Sequence, residues 1–287
     1  MKLLNFSTAN DNNLRLGIMT AAGIIDVAAT AAAHQLTAPT NVHAAIRAGA
    51  DSLASIVSAA DSFIDPASVN YGPVVTAPEK ILCVGLNYRL HAAEAGSPIP
   101  ETPVLFSKFN NTLAGHGEDI PLPANAVQYD YEVELGVVIG KTARYVSEAD
   151  ALDYVFGYCT VNDFSTRELQ MRTSQWLLGK TMDKAMPCGP YLVTADEVGD
   201  PHNLRLTTHL NGELRQDSNT NDLIFNVNQV ISYASQYFTL KPGDIISTGT
   251  PSGVILGMNP KVWLKPGDTV TVEVANLGAC TNRLTTE

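Results

Sequence analysis

The chain has 287 residues, 45% of them apolar, with 18 lysines and arginines against 29 acidic residues, so its net charge is −11. An apolar content of this size is typical of an ordinary folded protein, and the acidic balance argues against a nucleic-acid partner, because phosphate binding requires a basic surface. The four cysteines form no CxxC pair, no run of eighteen apolar residues occurs, and the first residues lack a signal sequence. We therefore expect a cytoplasmic protein with free thiols and no membrane contact.

The first 75 residues are predicted to form a small N-terminal α+β domain, followed by a catalytic domain over residues 76–287. Residues 14–27 favour two short strands around an Ala-Ala-Gly turn, and residues 42–60 favour helix because apolar side chains recur at helical spacing. The Pro- and Gly-containing stretch over residues 65–80 is typical of a connection. No polar residues in this part have a spacing that suggests chemistry, so we expect a role in packing or oligomerisation.

From residue 80 onward, short strands, tight turns and isolated helices indicate a strand-dominated α+β fold with a mixed or antiparallel sheet. Residues 80–87 predict a buried strand. Residues 147–156 predict a helix with Ser147 as its N-cap, and residues 221–238 predict the clearest helix of the chain. The tetrapeptide Lys-Pro-Gly-Asp occurs at 241–244 and again at 265–268, which is typical of tight turns without a catalytic role.

The stretch YDYEVELGVVIG, Tyr129 to Gly140, predicts a strand whose odd positions are all apolar. Because side chains alternate along a strand, Asp130, Glu132 and Glu134 share the opposite face. A solvated acidic face is the ordinary alternative, but the strand continues as an apolar run and no lysine or threonine separates the acids. Carboxylates crowded in a partly buried place need a counter-charge, which a divalent cation with oxygen ligands supplies.

Asp163 is the candidate third ligand, because it lies where the strand-like YCTV gives way to the helix-like FSTRELQ. A helix N-cap is the alternative for this residue, and the pattern leaves it open. Three carboxylates without histidine or cysteine partners favour Mg²⁺, Mn²⁺ or Ca²⁺ over zinc. Such a site leaves coordination positions free for a chelating substrate.

Six segments, in one order along the chain, resemble the signature segments of the fumarylacetoacetate hydrolase family. They are GLNYRLHAAEAG (85–96), PVLFSKF (103–109), YEVELGVVIG (131–140), VNDFSTRELQ (161–170), GKTMDKAMPCGPYLV (179–193) and GDIISTGTPSGV (243–254). The resemblance covers roughly residue 81 to the C-terminus. The small N-terminal domain is typical of the subgroup that cleaves 2,4-diketo acids, the acylpyruvate hydrolases.

This resemblance implies a mixed β-roll, a homodimer, and a metal site formed by Glu132, Glu134 and Asp163. The metal would be Mg²⁺ or Mn²⁺, with Ca²⁺ as a non-native occupant. It also implies that residues 87–94 form a lid that becomes helical when substrate binds, with His91 and Glu94 as a catalytic dyad. Their spacing of three places both on one face of a helix, although an exposed ion pair is the alternative.

Further positions are matched by the resemblance. Lys180 matches the active-site lysine, with a solvated turn lysine as the alternative, while Arg167, Gln170 and Thr250 match substrate-binding positions. Arg167 could also have a structural role as the partner of Asp163, which is compatible with substrate binding. The chain departs from close relatives at MDKAMP, where Lys184 either adds a cation beside the pocket or lies outside it.

The activity implied is that of an Mg²⁺- or Mn²⁺-dependent hydrolase acting on carbon–carbon bonds in ketonic substances. Through a metal-bound enolate, it would cleave the C3–C4 bond of a small anionic 2-oxo acid, an acylpyruvate, to pyruvate and a carboxylic acid. His91 with Glu94 would take a proton from water, and Lys180 would stabilise the oxyanion.

The same residues serve two other reactions. These are decarboxylation of oxaloacetate and keto–enol tautomerisation of oxaloacetate or a 2-hydroxymuconate-type compound. A catalytically silent, metal-stabilised protein is a further alternative, which Lys180 and the dyad argue against.

Overall fold

The computed structural model describes residues 1–287 and contains nineteen strands and eight helices, joined by short 3₁₀ turns. The strands are β1 (Lys2–Thr8), β2 (Asp11–Thr20), β3 (Gly23–Asp26), β4 (Val69–Gly72), β5 (Ile81–Gly85), β6 (Val104–Lys108), β7 (Leu113–Ala114), β8 (Ile120–Leu122), β9 (Tyr129–Asp130), β10 (Val133–Ile139), β11 (Val155–Asn162), β12 (Ser165–Thr166), β13 (Met186–Pro187), β14 (Leu192–Thr194), β15 (Arg205–Leu210), β16 (Glu213–Asn219), β17 (Ile245–Ser247), β18 (Thr269–Val274) and β19 (Gly278–Thr286). The helices are α1 (Val27–Ala33), α2 (Val42–Ala48), α3 (Ala54–Ala59), α4 (Arg89–Glu94), α5 (Arg167–Gln170), α6 (Leu177–Lys180), α7 (Ala195–Val198) and α8 (Val227–Tyr237). The predicted strand-dominated α+β class is confirmed.

Two large sheets form the body of the molecule. A ten-stranded sheet has the order β3-β2-β1-β14-β11-β10-β17-β5-β6, with β4 paired to β1, and a five-stranded sheet has the order β16-β15-β18-β19-β8. Most pairs are antiparallel, but β5 runs parallel to β17 and β8 runs parallel to β19. The sheets are therefore mixed, as expected. No helix has the length and apolar character needed to cross a bilayer.

The N-terminal residues join the main sheet rather than packing beside it. Strand β1 pairs with β14, with Lys2 opposite Val193. One apolar core contains Leu3 of this region together with Val138 of β10. Sheet and core therefore continue across residue 75, and the division into two domains at this point stays a prediction.

Local patterns predicted the N-terminal elements well. Strands β2 and β3 form the expected hairpin, with Thr20 opposite Gly23. Residues 42–60 are helical in the pieces α2 and α3, with a 3₁₀ turn between them. The predicted buried strand after residue 80 is β5.

The helix predicted over residues 147–156 is wrong. Only a 3₁₀ turn at residues 151–154 forms. The Ser147 hydroxyl donates to the Asp150 carboxylate and accepts from the Asp150 N–H, but no α-helix follows. The apolar residues Val155 and Phe156 belong to β11, because β10 pairs with this strand along its whole length. The other predicted helix is shorter than expected. It is α8, and it starts after Asn226, whose side chain forms a capping box with Gln229.

The two Lys-Pro-Gly-Asp segments form the same tight turn, as predicted. In each, the aspartate N–H donates to the lysine carbonyl oxygen, at 2.9 Å in the first turn and 3.1 Å in the second. The aspartate carboxylate in turn accepts from the lysine N–H, at 2.8 and 2.9 Å. Gly243 and Gly267 have φ angles of 92° and 95°, a conformation that glycine adopts at no steric cost.

The acidic strand is interrupted. Strand β9 ends at Asp130 and β10 begins at Val133. At the break, the N–H of Glu132 donates to the Asn162 side chain, and its carbonyl oxygen accepts from the N–H of Asp163. The apolar side chains of β10 at odd positions enter the main core, as predicted. Glu132 and Glu134 consequently lie at one end of the sheet, beside the end of β11.

Candidate metal centre and active site

Three buried carboxylates meet where β10 starts and β11 ends. Ligand oxygens of Glu132, Glu134 and Asp163 all lie within 4.8 Å of one another. Antiparallel pairing of β10 with β11 places Val133 opposite Asn162, which brings the three side chains together. Asp163 is not a helix N-cap, because α5 begins four residues later with Thr166 at its N-cap. The predicted metal-ligand set therefore forms one cluster.

Buried cations surround two of these three carboxylates. The Lys180 Nζ lies 2.8 Å from both Glu132 Oε2 and Asp163 Oδ2. Arg167 Nη1 lies 2.7 Å from Glu132 Oε1, and Lys108 Nζ lies 2.6 Å from Asp163 Oδ1. Burial would raise the pKa of Glu132, but Lys180 and Arg167 outweigh it and lower that pKa to about 2. Burial would likewise lower the pKa of Lys180, yet Asp163 and Glu132 hold it above its usual value, so the side chain is an ammonium.

Glu134 lacks such a partner. Its Oε2 accepts from the Ser247 hydroxyl at 2.5 Å and from the Gly249 N–H at 2.9 Å, and no cationic nitrogen lies within ion-pair distance. Burial, followed by the neighbouring Asp163 and Glu132 carboxylates, raises its pKa well above the usual range. Glu134 is therefore the one carboxylate of the cluster that has no counter-charge. With three oxygen donors and no thiolate or imidazole, these residues fit a hard divalent cation.

The lid segment is helical and lies over this cluster. In α4, His91 Nδ1 is 3.0 Å from Glu94 Oε2, so the predicted dyad is formed. The other oxygen of Glu94 accepts from the Gly253 N–H at 2.9 Å. A Cβ atom at Gly257 would lie 2.3 Å from Glu94 Cδ, so the lid packs directly on this glycine. Whether substrate induces the helix stays a prediction.

A cavity of about 530 Å³ lies between the lid and the carboxylates, a volume typical of small-molecule sites. Eight of the nine predicted site residues line it. They are His91, Glu94, Glu132, Glu134, Arg167, Gln170, Lys180 and Thr250. Asp163, the ninth, is not part of the lining. Apolar side chains, among them Phe106 and Trp176, form the remaining wall.

Asp130 is not part of the carboxylate cluster. One of its oxygens accepts from Arg167 Nε at 2.8 Å, and the two oxygens also accept from the N–H groups of Ile255 and Leu256. Arg167 in turn donates to Gln170 Oε1 at 2.9 Å. Asp130 therefore positions Arg167 and the loop after residue 254. Arg167 and Gln170 lie on α5, which begins at Arg167 and not at Asp163 as predicted.

Three further side chains complete the description. The Thr250 hydroxyl accepts from Gln216 Nε2 at 2.9 Å. Lys184 lies outside the cavity, where it pairs with Glu118 at 2.9 Å. Lys108 is a site residue that sequence reasoning missed, although PVLFSKF was among the matching segments. The only sequence feature that pointed to Lys108 was its place in that segment. A single lysine in a strand is otherwise expected to be exposed to solvent.

Comparisons with known proteins place these residues in a family context. Residues 80–285 match the family model of the fumarylacetoacetate (FAA) hydrolase C-terminal domain. An oxaloacetate tautomerase of Xenopus laevis, described as mitochondrial, is 39% identical over 98% of this chain and 89% of its own length.

Solved structures of similar proteins include both isomerases and hydrolases. A 5-carboxymethyl-2-hydroxymuconate delta-isomerase from Mycobacterium smegmatis has a TM-score of 0.78 and 29% identity, covering 100% of this chain and 99% of that one. A maleylpyruvate hydrolase from Sphingobium sp. SYK-6, in complex with manganese(II) and pyruvate, has a TM-score of 0.82 and 31% identity, with the same coverage. The match over residues 80–285 spans more than half of the chain and contains the whole carboxylate cluster. This chain therefore belongs to the fumarylacetoacetate hydrolase family.

Proposed function

We propose that this protein is a divalent-cation-dependent keto–enol tautomerase of an oxaloacetate-type 2-oxo acid. The observation that carries the proposal is the 39% identity to an oxaloacetate tautomerase over 98% of the chain. This ranks tautomerisation, the predicted alternative, above the acylpyruvate hydrolysis that the sequence segments favoured. The cavity supports it, because a proton-exchanging imidazole and a fixed ammonium line one space.

His91 is suited to move the proton. Tautomerisation transfers a proton between C3 and the 2-oxo oxygen of the substrate. Because Nδ1 is held by Glu94, the Nε2 atom of His91 is the nitrogen left to take or return that proton. Glu94 is itself held by the Gly253 N–H, which keeps the ring orientation constant.

Lys180 is suited to stabilise the negative charge that develops when the C3 proton leaves. Its ammonium is buried and held at 2.8 Å from two carboxylates, so it needs no reorganisation during the reaction. Glu132, Glu134 and Asp163 would hold the divalent cation, which when bound supplies further positive charge for the substrate carboxylate and the 2-oxo oxygen. We propose Mg²⁺ or Mn²⁺, and the manganese(II) in the maleylpyruvate hydrolase structure supports the second.

Hydrolytic cleavage of a carbon–carbon bond is the second candidate. It is favoured by the likeness to maleylpyruvate hydrolase, at a TM-score of 0.82. In this reaction His91 would take its proton from a water molecule beside the substrate.

One experiment separates these reactions. The purified protein with Mg²⁺ is mixed with the enol form of oxaloacetate, while enol absorbance and NMR spectra are followed. We expect the enol to convert to the ketone faster than in buffer, with no pyruvate formed, and we expect EDTA to abolish the acceleration. Pyruvate and CO₂ from oxaloacetate would instead indicate a decarboxylase, and pyruvate from acetylpyruvate a hydrolase. No conversion of either compound would leave a metal-stabilised protein without this activity.

The homodimer and the cytoplasmic location stay predictions of the sequence. The Xenopus relative is described as mitochondrial. Light scattering of the purified protein would test the dimer, and fractionation of the source cells would test the location.

A further inference from the structure

Lys261 is the only cation of the cavity wall that has no acidic partner. Three cationic side chains line the cavity, namely Arg167, Lys180 and Lys261. The first two are held at 2.7–2.8 Å from carboxylates. Lys261 forms no ion pair and no side-chain hydrogen bond, and it is exposed. Its ammonium is therefore available to a ligand.

The loop that carries Lys261 is fixed at both ends to strand β9. At its start, the N–H groups of Ile255 and Leu256 donate to the Asp130 carboxylate. At its end, the Leu264 N–H donates to the Tyr129 carbonyl oxygen at 3.1 Å. Between these points, Gly257 contacts Glu94 of the lid. Lys261 is thus presented by a segment that is tied both to strand β9 and to the lid.

The charge balance of the site indicates which kind of ligand the Lys261 ammonium would bind. Five carboxylates surround the cavity or stand directly behind it: Asp130, Glu94, Glu132, Glu134 and Asp163. Apart from Lys261, three cations oppose them: Lys108, Arg167 and Lys180. The difference is two negative charges, which one bound divalent cation would only neutralise. A substrate with two carboxylates would then meet excess positive charge at Lys261 alone.

We propose that Lys261 binds the second carboxylate of the substrate and so selects 2-oxo dicarboxylates over 2-oxo monoacids. In this arrangement the 2-oxo-acid end of the substrate lies at the carboxylate cluster and its far carboxylate lies at Lys261. The apolar wall of the cavity, including Trp176 and Leu256, contacts the carbon chain between them. This proposal rests on the proposed function for the identity of the reacting end.

Binding of two probes tests the selectivity without an assay of turnover. 2-Oxoglutarate and 2-oxopentanoate share five carbons and the 2-oxo-acid end, but only the first has a second carboxylate. We expect the Mg²⁺-loaded protein to bind 2-oxoglutarate about tenfold more tightly, as measured by titration calorimetry. Lys261→Met is expected to remove this preference, Lys261→Arg to retain most of it, and Lys265→Met to leave it unchanged. Lys265 is a matched control, because it is exposed, unpaired and absent from the cavity wall.

Equal weakening of both probes by Lys261→Met, or no preference in the unmodified protein, would overturn the proposal. The kinetic counterpart is a KM for oxaloacetate that rises about tenfold in Lys261→Met while kcat changes little. A protein that prefers the dicarboxylate probe but does not tautomerise oxaloacetate would refute the proposed function and leave the role of Lys261 intact. The reverse result, normal tautomerisation unaffected by Lys261→Met, would refute the role of Lys261 alone.

Discussion

The two ends of the cavity hold their charges in different ways. At the inner end, Glu132 and Asp163 share the buried cations Lys108, Lys180 and Arg167 through contacts of 2.6–2.8 Å. At the lid end, the side chains of His91 and Glu94 remain 11% and 20% exposed, and a few hydrogen bonds hold them. Removal of a charge at the inner end should therefore lower the free energy of unfolding. Removal of a charge at the lid end should affect it little. Substitutions at the two ends should therefore separate stability from activity.

Asp163→Asn should have the largest combined effect. It leaves Lys108 and Lys180 buried with too little negative charge, so we expect the free energy of unfolding to fall by about 3–5 kcal/mol. Metal binding and activity should be lost as well. Urea unfolding and an activity assay check this, with the exposed Asp153→Asn as the control. A variant of unchanged stability would show that the inner ion pairs contribute nothing to the fold.

His91→Asn should reduce kcat by about 10²- to 10⁴-fold, because proton transfer loses its base. Its stability should stay within about 1 kcal/mol, since the lid pair is partly solvated. His34→Asn is the matched control, because His34 pairs with Asp61 at 3.5 Å and is not part of the cavity lining. A loss of stability as large as that of Asp163→Asn would mean that the two ends do not differ.

Addition of Mg²⁺ or Mn²⁺ should stabilise the protein through the inner end. At a metal concentration about one hundred times the dissociation constant, the gain is about 2.7 kcal/mol, which corresponds to a rise in Tm of roughly 5 °C or more. Differential scanning fluorimetry with and without EDTA measures this rise. Lys261→Met should show the same rise, whereas Asp163→Asn should show none.

Glu134→Gln tests the one carboxylate of the inner end that has no cationic partner. Without metal, Glu134 is a buried carboxylate with no cation, so the amide should leave stability unchanged or raise it by about 1 kcal/mol. With metal, the variant should lose most of the stabilisation seen in the unmodified protein. Glu273→Gln, at an exposed position, controls for net charge. A metal-free variant that is clearly less stable would contradict our view of this residue.

The carboxylate cluster could be predicted from sequence because alternation along one strand is a local property. Glu132 and Glu134 lie two residues apart, and the apolar residues between and after them determine which way they point. The same rule placed Asp130 on the metal face, and there it failed. The strand breaks at residues 131–132, and backbone N–H groups of residues 255 and 256 bind the Asp130 carboxylate. That partner lies about 125 residues away and leaves no trace in the local pattern.

The role of Lys108 also could not be predicted from the local sequence pattern. This lysine lies 55 residues before Asp163, and it is buried because β6 pairs with β5 beside the carboxylate cluster. A lysine at the end of a strand is ordinarily solvated, so only tertiary structure distinguishes this one. The wrong helix over residues 147–156 has the same origin, because the long pairing of β11 with β10 outweighs helical spacing.

Gly257 determines how closely the lid helix α4 can pack on the loop after residue 254. One added carbon atom there would overlap with Glu94 Cδ at 2.3 Å, while the φ angle of this glycine is one that alanine accepts. Gly257→Ala would therefore push the Glu94 side chain, and with it the lid, away from the loop after residue 254. Because Glu94 also orients His91, this variant should change the closure of the lid and the rate of proton transfer together.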